Sequence, residues 1–212
     1  MDTSWYRAIN HFARHSAWLH PVMKLAALDG VGLFAVLVLG AWWYARRGEH
    51  ATRAVAAALW SAVATLFAVW VNQLIVTAAA RPRPFLAVTN AEVLVRRSHD
   101  YSFPSDHAVA AGAATMGLWI VARYAPRVVR SLATTSTVLA LLVAFARVYV
   151  GVHYPGDVLA GLAVGALVCA LGWWALGGTL TRLTGLVAHS RLRPLVLSGV
   201  HPKSFDATPT DH

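Results

Sequence analysis

The chain has 212 residues, 58% of them hydrophobic and only 13% charged, with a mean hydropathy of +0.54. Soluble globular domains are about 45–50% apolar and about 25% charged, so the composition sets a water-soluble domain aside. The formal net charge is +9, but the Lys and Arg residues fall in short clusters between apolar runs, a membrane-topology pattern rather than a nucleic-acid patch.

The start, "MDTSWYRAINHFARHSAWLH", lacks a continuous apolar stretch followed by a small-residue cleavage site, so no signal peptide is expected. Within residues 5–20, Trp5, Ile9, Phe12 and Leu19 interleave with Arg7, Asn10, His11, Arg14 and His15, a pattern that predicts an amphipathic helix lying on the membrane. Five apolar segments follow, to be compared with the ~20 residues a spanning helix needs. Residues 28–45 end in Trp42, Trp43 and Tyr44 before Arg46 and Arg47, an interfacial belt with basic anchors. Residues 54–80 are long and Ala-rich; residues 105–122 are Ala- and Gly-rich; residues 131–150 form a fourth segment. Residues 157–178 carry Gly161 and Gly165 at the spacing that lets helices approach closely. They also hold Cys169, the single cysteine, which leaves no disulfide framework or cysteine metal site within one chain.

The expected fold is an all-α polytopic membrane bundle of five or six transmembrane helices. It divides into an amphipathic segment (1–27), a membrane-embedded domain (28–178) and a basic tail (179–212). Loop 46–53 carries Arg46, Arg47 and Arg53, loop 123–130 carries Arg123, Arg127 and Arg130, and the tail carries Arg182, Arg191, Arg193 and Lys203. With five spans these three segments share one side, and positive charge assigns it to the cytoplasm. The loop 81–104 and the connection near 147–156 then share the outer side, although the first of these also holds four arginines.

Three polar stretches fall on that outer side: "RPRPF" at 81–85, "FPSDHA" at 103–108 and "RVYVGVHYPGD" at 147–157. Arg83 and Arg147 are permanent cations whose planar forks match phosphate oxygens, and Arg81 adds a third. Pro104 and Ser105 read as a helix start with Ser105 near the N-cap, where free N–H groups and the helix dipole favour an anion. His107 follows in the first turn. His153 and Asp157 stand four apart, with Pro155 and Gly156 opening the next helix between them. A carboxylate on one imidazole nitrogen fixes the tautomer and leaves the other free to attack. These residues therefore supply a phosphate cradle, a nucleophilic histidine and a second histidine as acid. Taken singly, each has a plain structural reading: loop boundary, N-cap, first-turn acid or snorkelling arginine. Their convergence on one face favours the chemical one.

In these motifs the chain resembles the type 2 phosphatidic acid phosphatase superfamily, which includes bacterial lipid phosphatases and soluble vanadium haloperoxidases. The family signature is lysine, six residues, Arg-Pro; then Pro-Ser-Gly-His; then Ser-Arg, five residues, His, three residues, Asp. Arg83-Pro84 matches the end of the first part. Pro104, Ser105 and His107 match the second, and Arg147, His153 and Asp157 match the third with both spacings intact. The resemblance covers roughly residues 54–178. Val76 stands at the lysine position, Asp106 where Gly is usual and Ala146 where Ser is usual. "NQLI" (72–75), "RPRPF" and "SFPSDHA" resemble the bacitracin-resistance type of bacterial undecaprenyl pyrophosphate phosphatase.

The resemblance implies a cofactor-free, metal-independent lipid phosphatase of the bacterial plasma membrane, with its site on the extracytoplasmic side. Arg83, Arg147 and Ser105 would hold the phosphate, with Arg81 covering for the lost lysine. His153, oriented by Asp157, would form a phosphohistidine, and His107 would protonate the leaving oxygen. Asp106 belongs to the same phosphate-binding stretch without a legible role. The implied partners are a lipid phosphate or diphosphate and the bilayer, with no nucleic acid. Alternatives are a phosphatidic acid or phosphatidylglycerophosphate phosphatase, a non-catalytic lipid-phosphate binding or transport protein, and a zinc hydrolase using His107, His153 and Asp157.

Overall fold

The computed structural model describes residues 1–198, so the end of the expected tail, with Lys203, lies outside the described residues. Among the described residues the regular structure is entirely helical: α1 (Asp2–His15), α2 (His20–Leu28), α3 (Gly30–Ala45), α4 (Ala51–Ala79), α5 (Pro84–Ala87), α6 (Asp106–Ala122), α7 (Val128–Tyr149) and α8 (Pro155–Ala188). Short 3-10 turns lie at Ala17–Leu19 and Arg193–Leu195.

All five expected apolar segments are helices, but they are not equivalent as membrane spans. Among the described residues, three helical stretches are long and apolar enough to cross alone: Ala51–Ala87, which is α4 continued through α5, then α7 and α8. The segments Ala17–Leu28 and Gly32–Ala45 make a fourth only as a pair bent by 58°. The break falls at Asp29, between α2 and α3. α6 has 17 residues, about 25 Å at 1.5 Å per residue, against a hydrocarbon layer of about 30 Å. It packs against α3, α4, α7 and α8, so protein rather than lipid surrounds most of it. At the other extreme α8 runs ten residues past the expected end at 178, to Ala188, because Leu180, Leu183, Leu186 and Val187 continue its apolar pattern.

Small residues permit this packing. Ala54, Ala57, Ala64 and Ala68 of α4 and Ala108, Ala111 and Ala113 of α6 are buried in the bundle. A methyl group on Gly165 of α8 would overlap the Val109 carbonyl of α6, so the Gly161–Gly165 spacing marks a close backbone approach. Large apolar side chains point outward instead, including Leu39, Leu66, Trp70, Leu141, Leu171 and Trp174. An apolar exterior is what a lipid solvent requires, and the chain is a multi-pass membrane protein. At the end of α3, Arg46 lies 4.4 and 4.3 Å from the ring centres of Trp42 and Trp43, which joins the expected aromatic belt to its basic anchor.

Candidate active site

The buried charged side chains of the bundle gather at one end. Arg83, Arg147, His153 and Asp157 are each at most 8% exposed. They meet where α4 ends, α6 begins, α7 ends and α8 begins. Two of these are helix N-termini, whose dipoles favour an anion. The loop after α4 enters because Ala80 adopts φ 45° and the prolines at 82 and 84 cannot extend the helix. The connection back to α8 turns at Gly151, with φ +87°.

His153 lies at the centre. Its Nδ1 sits 2.8 Å from the Ser102 carbonyl, an acceptor, so Nδ1 carries the proton and Nε2 keeps its lone pair. That Nε2 is 3.3 Å from Arg83 Nη1 and 3.3 Å from Arg147 Nη2. Burial pushes the His153 pKa down to about 4; Asp157 opposes the shift, and the Arg147 and Arg83 cations add to it. The ring is therefore neutral at physiological pH, with its free nitrogen between two guanidinium groups.

Each arginine is fixed from behind. Arg83 donates to the Asp100 carbonyl (3.1 Å), the Asp100 carboxylate (2.9 Å) and the Val152 carbonyl (2.9 Å). Burial raises the Asp100 carboxyl, but hydrogen bonding from Ser98 and pairing with Arg83 outweigh it and hold it below its ordinary range. Arg147 donates to the Ala27 carbonyl at 3.1 Å, which ties the end of α7 to α2. Its Nε has no partner. Ser105 is the N-cap residue of α6, as the sequence predicts, yet its side chain makes no capping bond. Its Oγ is fully buried and also unpartnered. Two orphaned polar atoms beside two buried cations and a helix N-terminus make a site that an anionic ligand would complete. His107, in the first turn of α6, is partly exposed and within electrostatic reach of His153, Arg147 and Arg83.

Three expected site residues have partners that the sequence did not predict. The nearest acceptor to His153 Nδ1 is the Ser102 carbonyl, at 2.8 Å, while Asp157 Oδ2 lies farther off at 3.6 Å, within ion-pair distance. Both Asp157 oxygens are already engaged: Oδ2 accepts from the Tyr154 N–H at 2.8 Å and Oδ1 from Arg81 at 2.6 Å. Arg81 is not a free phosphate ligand either, since its other Nη donates to Asp2 at 2.7 Å and its guanidinium stacks 4.0 Å from the Tyr154 ring. Asp106 turns away toward α4, where Oδ1 accepts from Asn72 at 2.7 Å and Gln73 at 2.9 Å. A phosphate would repel a carboxylate, and the two amides give it a better place. Sequence reasoning missed Asp100, Asp2 and the Ser102 carbonyl. Of these, only Asp100 had a usable signal, an acid just ahead of the "SFPSDH" stretch on a face rich in arginine.

The sequence matches the PAP2 superfamily over residues 57–179, a stretch that spans all three polar motifs. The chain belongs to the PAP2 superfamily. It is a membrane phosphatase, a hydrolase of phosphorus-containing bonds. Among PAP2 relatives, it is 27% identical over 168 residues to undecaprenyl-diphosphatase BcrC of Bacillus subtilis, covering 79% of this chain and 80% of that one. It is 37% identical over 100 residues to the undecaprenyl-diphosphatase of Sulfolobus acidocaldarius, covering 43% and 42%. The fold matches the crystal structure of the transmembrane PAP2 type phosphatidylglycerolphosphate phosphatase from Bacillus subtilis. That match has a TM-score of 0.60 and 24% identity, over 79% of this chain and 82% of the other.

Proposed function

We propose that this PAP2 phosphatase removes the terminal phosphate of a polyprenyl diphosphate, undecaprenyl diphosphate in the first instance, through a phosphohistidine at the outer membrane face. The observation that carries the chemistry is the neutral His153 Nε2, 3.3 Å from each of two arginine Nη atoms. A phosphate held by Arg83, Arg147, the α6 N-terminus and Ser105 Oγ would present phosphorus to that lone pair. The relatives called undecaprenyl-diphosphatase support the substrate, and the basic loops on the opposite side support the orientation.

The steps balance without a further reactant except water. Nε2 forms the N–P bond as the bridging P–O bond breaks, and His107, protonated once the bound anionic substrate offsets the two arginines, delivers its proton to the leaving oxygen. Water, losing a proton to His107, then attacks phosphorus, the N–P bond breaks and phosphate departs. The chain's share is positioning and charge stabilisation, which dominate phosphoryl transfer. Arg83 and Arg147 set positive charge against the histidines, a poor surrounding for a metal ion, so turnover is expected to persist in EDTA.

The test compares purified protein on C55 diphosphate, phosphatidic acid and phosphatidylglycerophosphate, with acid-quenched capture of phosphohistidine. His153→Ala is expected to abolish capture and turnover on every substrate. His107→Ala is expected to lose about 10²–10⁴-fold on a monophosphate, whose alkoxide leaving group needs the proton, and less on a diphosphate. Phosphohistidine still trapped in His153→Ala would reverse the assignment. A preference for the glycerolipids would reject the polyprenyl substrate, and loss of turnover in chelator restored by a divalent ion would reject the metal-free route.

A further inference from the structure

The first arginine of "RPRPF" leads to a residue at the far end of the chain. Arg81 joins two carboxylates: Asp157 of α8 at 2.6 Å and Asp2 of α1 at 2.7 Å. Asp2 does more than neutralise Arg81. Its other oxygen accepts the backbone N–H of Gly156 at 2.8 Å, in the first turn of α8. The Tyr154 N–H next to it is taken by Asp157. The α8 N-terminus is thus covered by two carboxylates, leaving the α6 N-terminus as the open one.

Asp2 is held by a docked helix. Tyr6, fully buried, donates to the Gly151 carbonyl at 3.1 Å. Asn10 makes a reciprocal pair with the backbone of Glu92, at 2.7 and 2.9 Å. α1 therefore grips both chain segments that flank His153. The contact is close because Gly156 has no side chain: a methyl there would lie 2.9 Å from Asp2 Oδ2, and its three nearest neighbours are all Asp2 atoms.

We propose that Asp2 is a positioning residue of the phosphatase site. It fixes Arg81 and the start of α8, and through them Asp157 and the His153 turn. The proposal rests on the phosphatase reading above for its kinetic test. Asp2 and Arg81 are each about 30% exposed, so the ion pair itself is screened, and the effect lies in geometry more than in stability.

The experiment uses full-length protein as wild type, Asp2→Ala, Asp2→Glu, Gly156→Ala and the double variant Asp2→Ala/Gly156→Ala. Alanine suits a helix better than glycine does, so Gly156→Ala displaces the Asp2 carboxylate without weakening α8. Both single variants to alanine are expected to lower kcat about tenfold, the scale on which outer partners of a reacting group act, with KM changed less than about twofold. The double variant should be no worse than either single, because both remove one contact, and Asp2→Glu should recover part of the rate. The ring ¹⁵N signals of His153 should move in Asp2→Ala and Gly156→Ala. Wild-type kcat in Asp2→Ala, additive losses in the double variant, or unmoved His153 signals would each overturn the proposal. If the wild type turns over no lipid phosphate, the phosphatase reading fails, while the ring signals still decide the role of Asp2.

Discussion

Ser105 carries two opposite expectations. Its Oγ is buried without a partner, and an unsatisfied buried hydroxyl costs roughly 1–3 kcal/mol. Ser105→Ala is therefore expected to leave the unliganded protein as stable as wild type or slightly more so. A hydrogen bond to a charged phosphate contributes about 1.5–3 kcal/mol, so kcat/KM is expected to fall by roughly 10- to 100-fold. Melting temperature in detergent and steady-state kinetics on one preparation check both signs; a destabilised but fully active variant would remove Ser105 from the phosphate site. His153 carries the pH expectation. Its pKa falls from 6.5 to about 4 on folding, so the unfolded chain binds the extra proton. The stability this contributes is present above pH 6.5 and is lost as pH falls toward 4. Ring ¹⁵N shifts at pH 5.5 should report a neutral His153 in the apo protein, and a protonated ring there would contradict the buried, arginine-flanked geometry.

Between elements, the joint between α4 and α6 decides where α6 starts. Asn72 is fully buried and donates to both the Asp106 carboxylate and the Pro104 carbonyl, at 2.7 and 3.2 Å. Gln73 reaches the same carboxylate from an exposed position. Asn72→Ala would leave Asp106 and Pro104 short of their buried donor, a cost of roughly 1–3 kcal/mol. Gln73→Ala loses a bond that water replaces and should change stability by less than about 0.5 kcal/mol. Denaturant or thermal unfolding of the two variants side by side checks this; equal losses would mean that Asn72 anchors nothing. None of this was visible in the motif "PSDH". The identity of Asp106 is local, but its partners lie 34 and 33 positions away on another helix, and no periodicity encodes which amide faces it. The same limit hid the Arg81–Asp2 pair. The helices themselves were legible because apolar runs and terminal prolines are local signals, and the candidate site side chains because their spacing is local. The short α6 was legible as a helix but not as an enclosed one.

Over the whole molecule, the distribution of charge supports the proposed orientation, which can be measured directly. Arg96 and Glu49 are exposed and lie in loops that the span order places on opposite sides. Single cysteines at these positions, in a Cys169→Ala background, are expected to react differently with a membrane-impermeant thiol reagent applied to intact cells. Arg96→Cys should label and Glu49→Cys should not. The reverse would move the chemistry to the cytoplasmic face and remove the outer-face part of the proposed function. The buried Cys169 makes the background substitution a small one, because that thiol packs as a small apolar group.

The Ser102 carbonyl has a consequence for how this site tolerates mutation. An atom of the peptide backbone is present whichever residue occupies the position, so no codon change can delete the acceptor that sets the His153 tautomer. Its place is set by another backbone pair, the Ser102 N–H on the Arg81 carbonyl at 2.9 Å, while the Ser102 hydroxyl makes only a 3.3 Å contact with the Pro82 carbonyl. A saturation scan would therefore record position 102 as permissive to small residues, although its carbonyl lies 2.8 Å from the His153 ring. Where the chain path itself performs a task, mutational silence is no measure of distance from the chemistry.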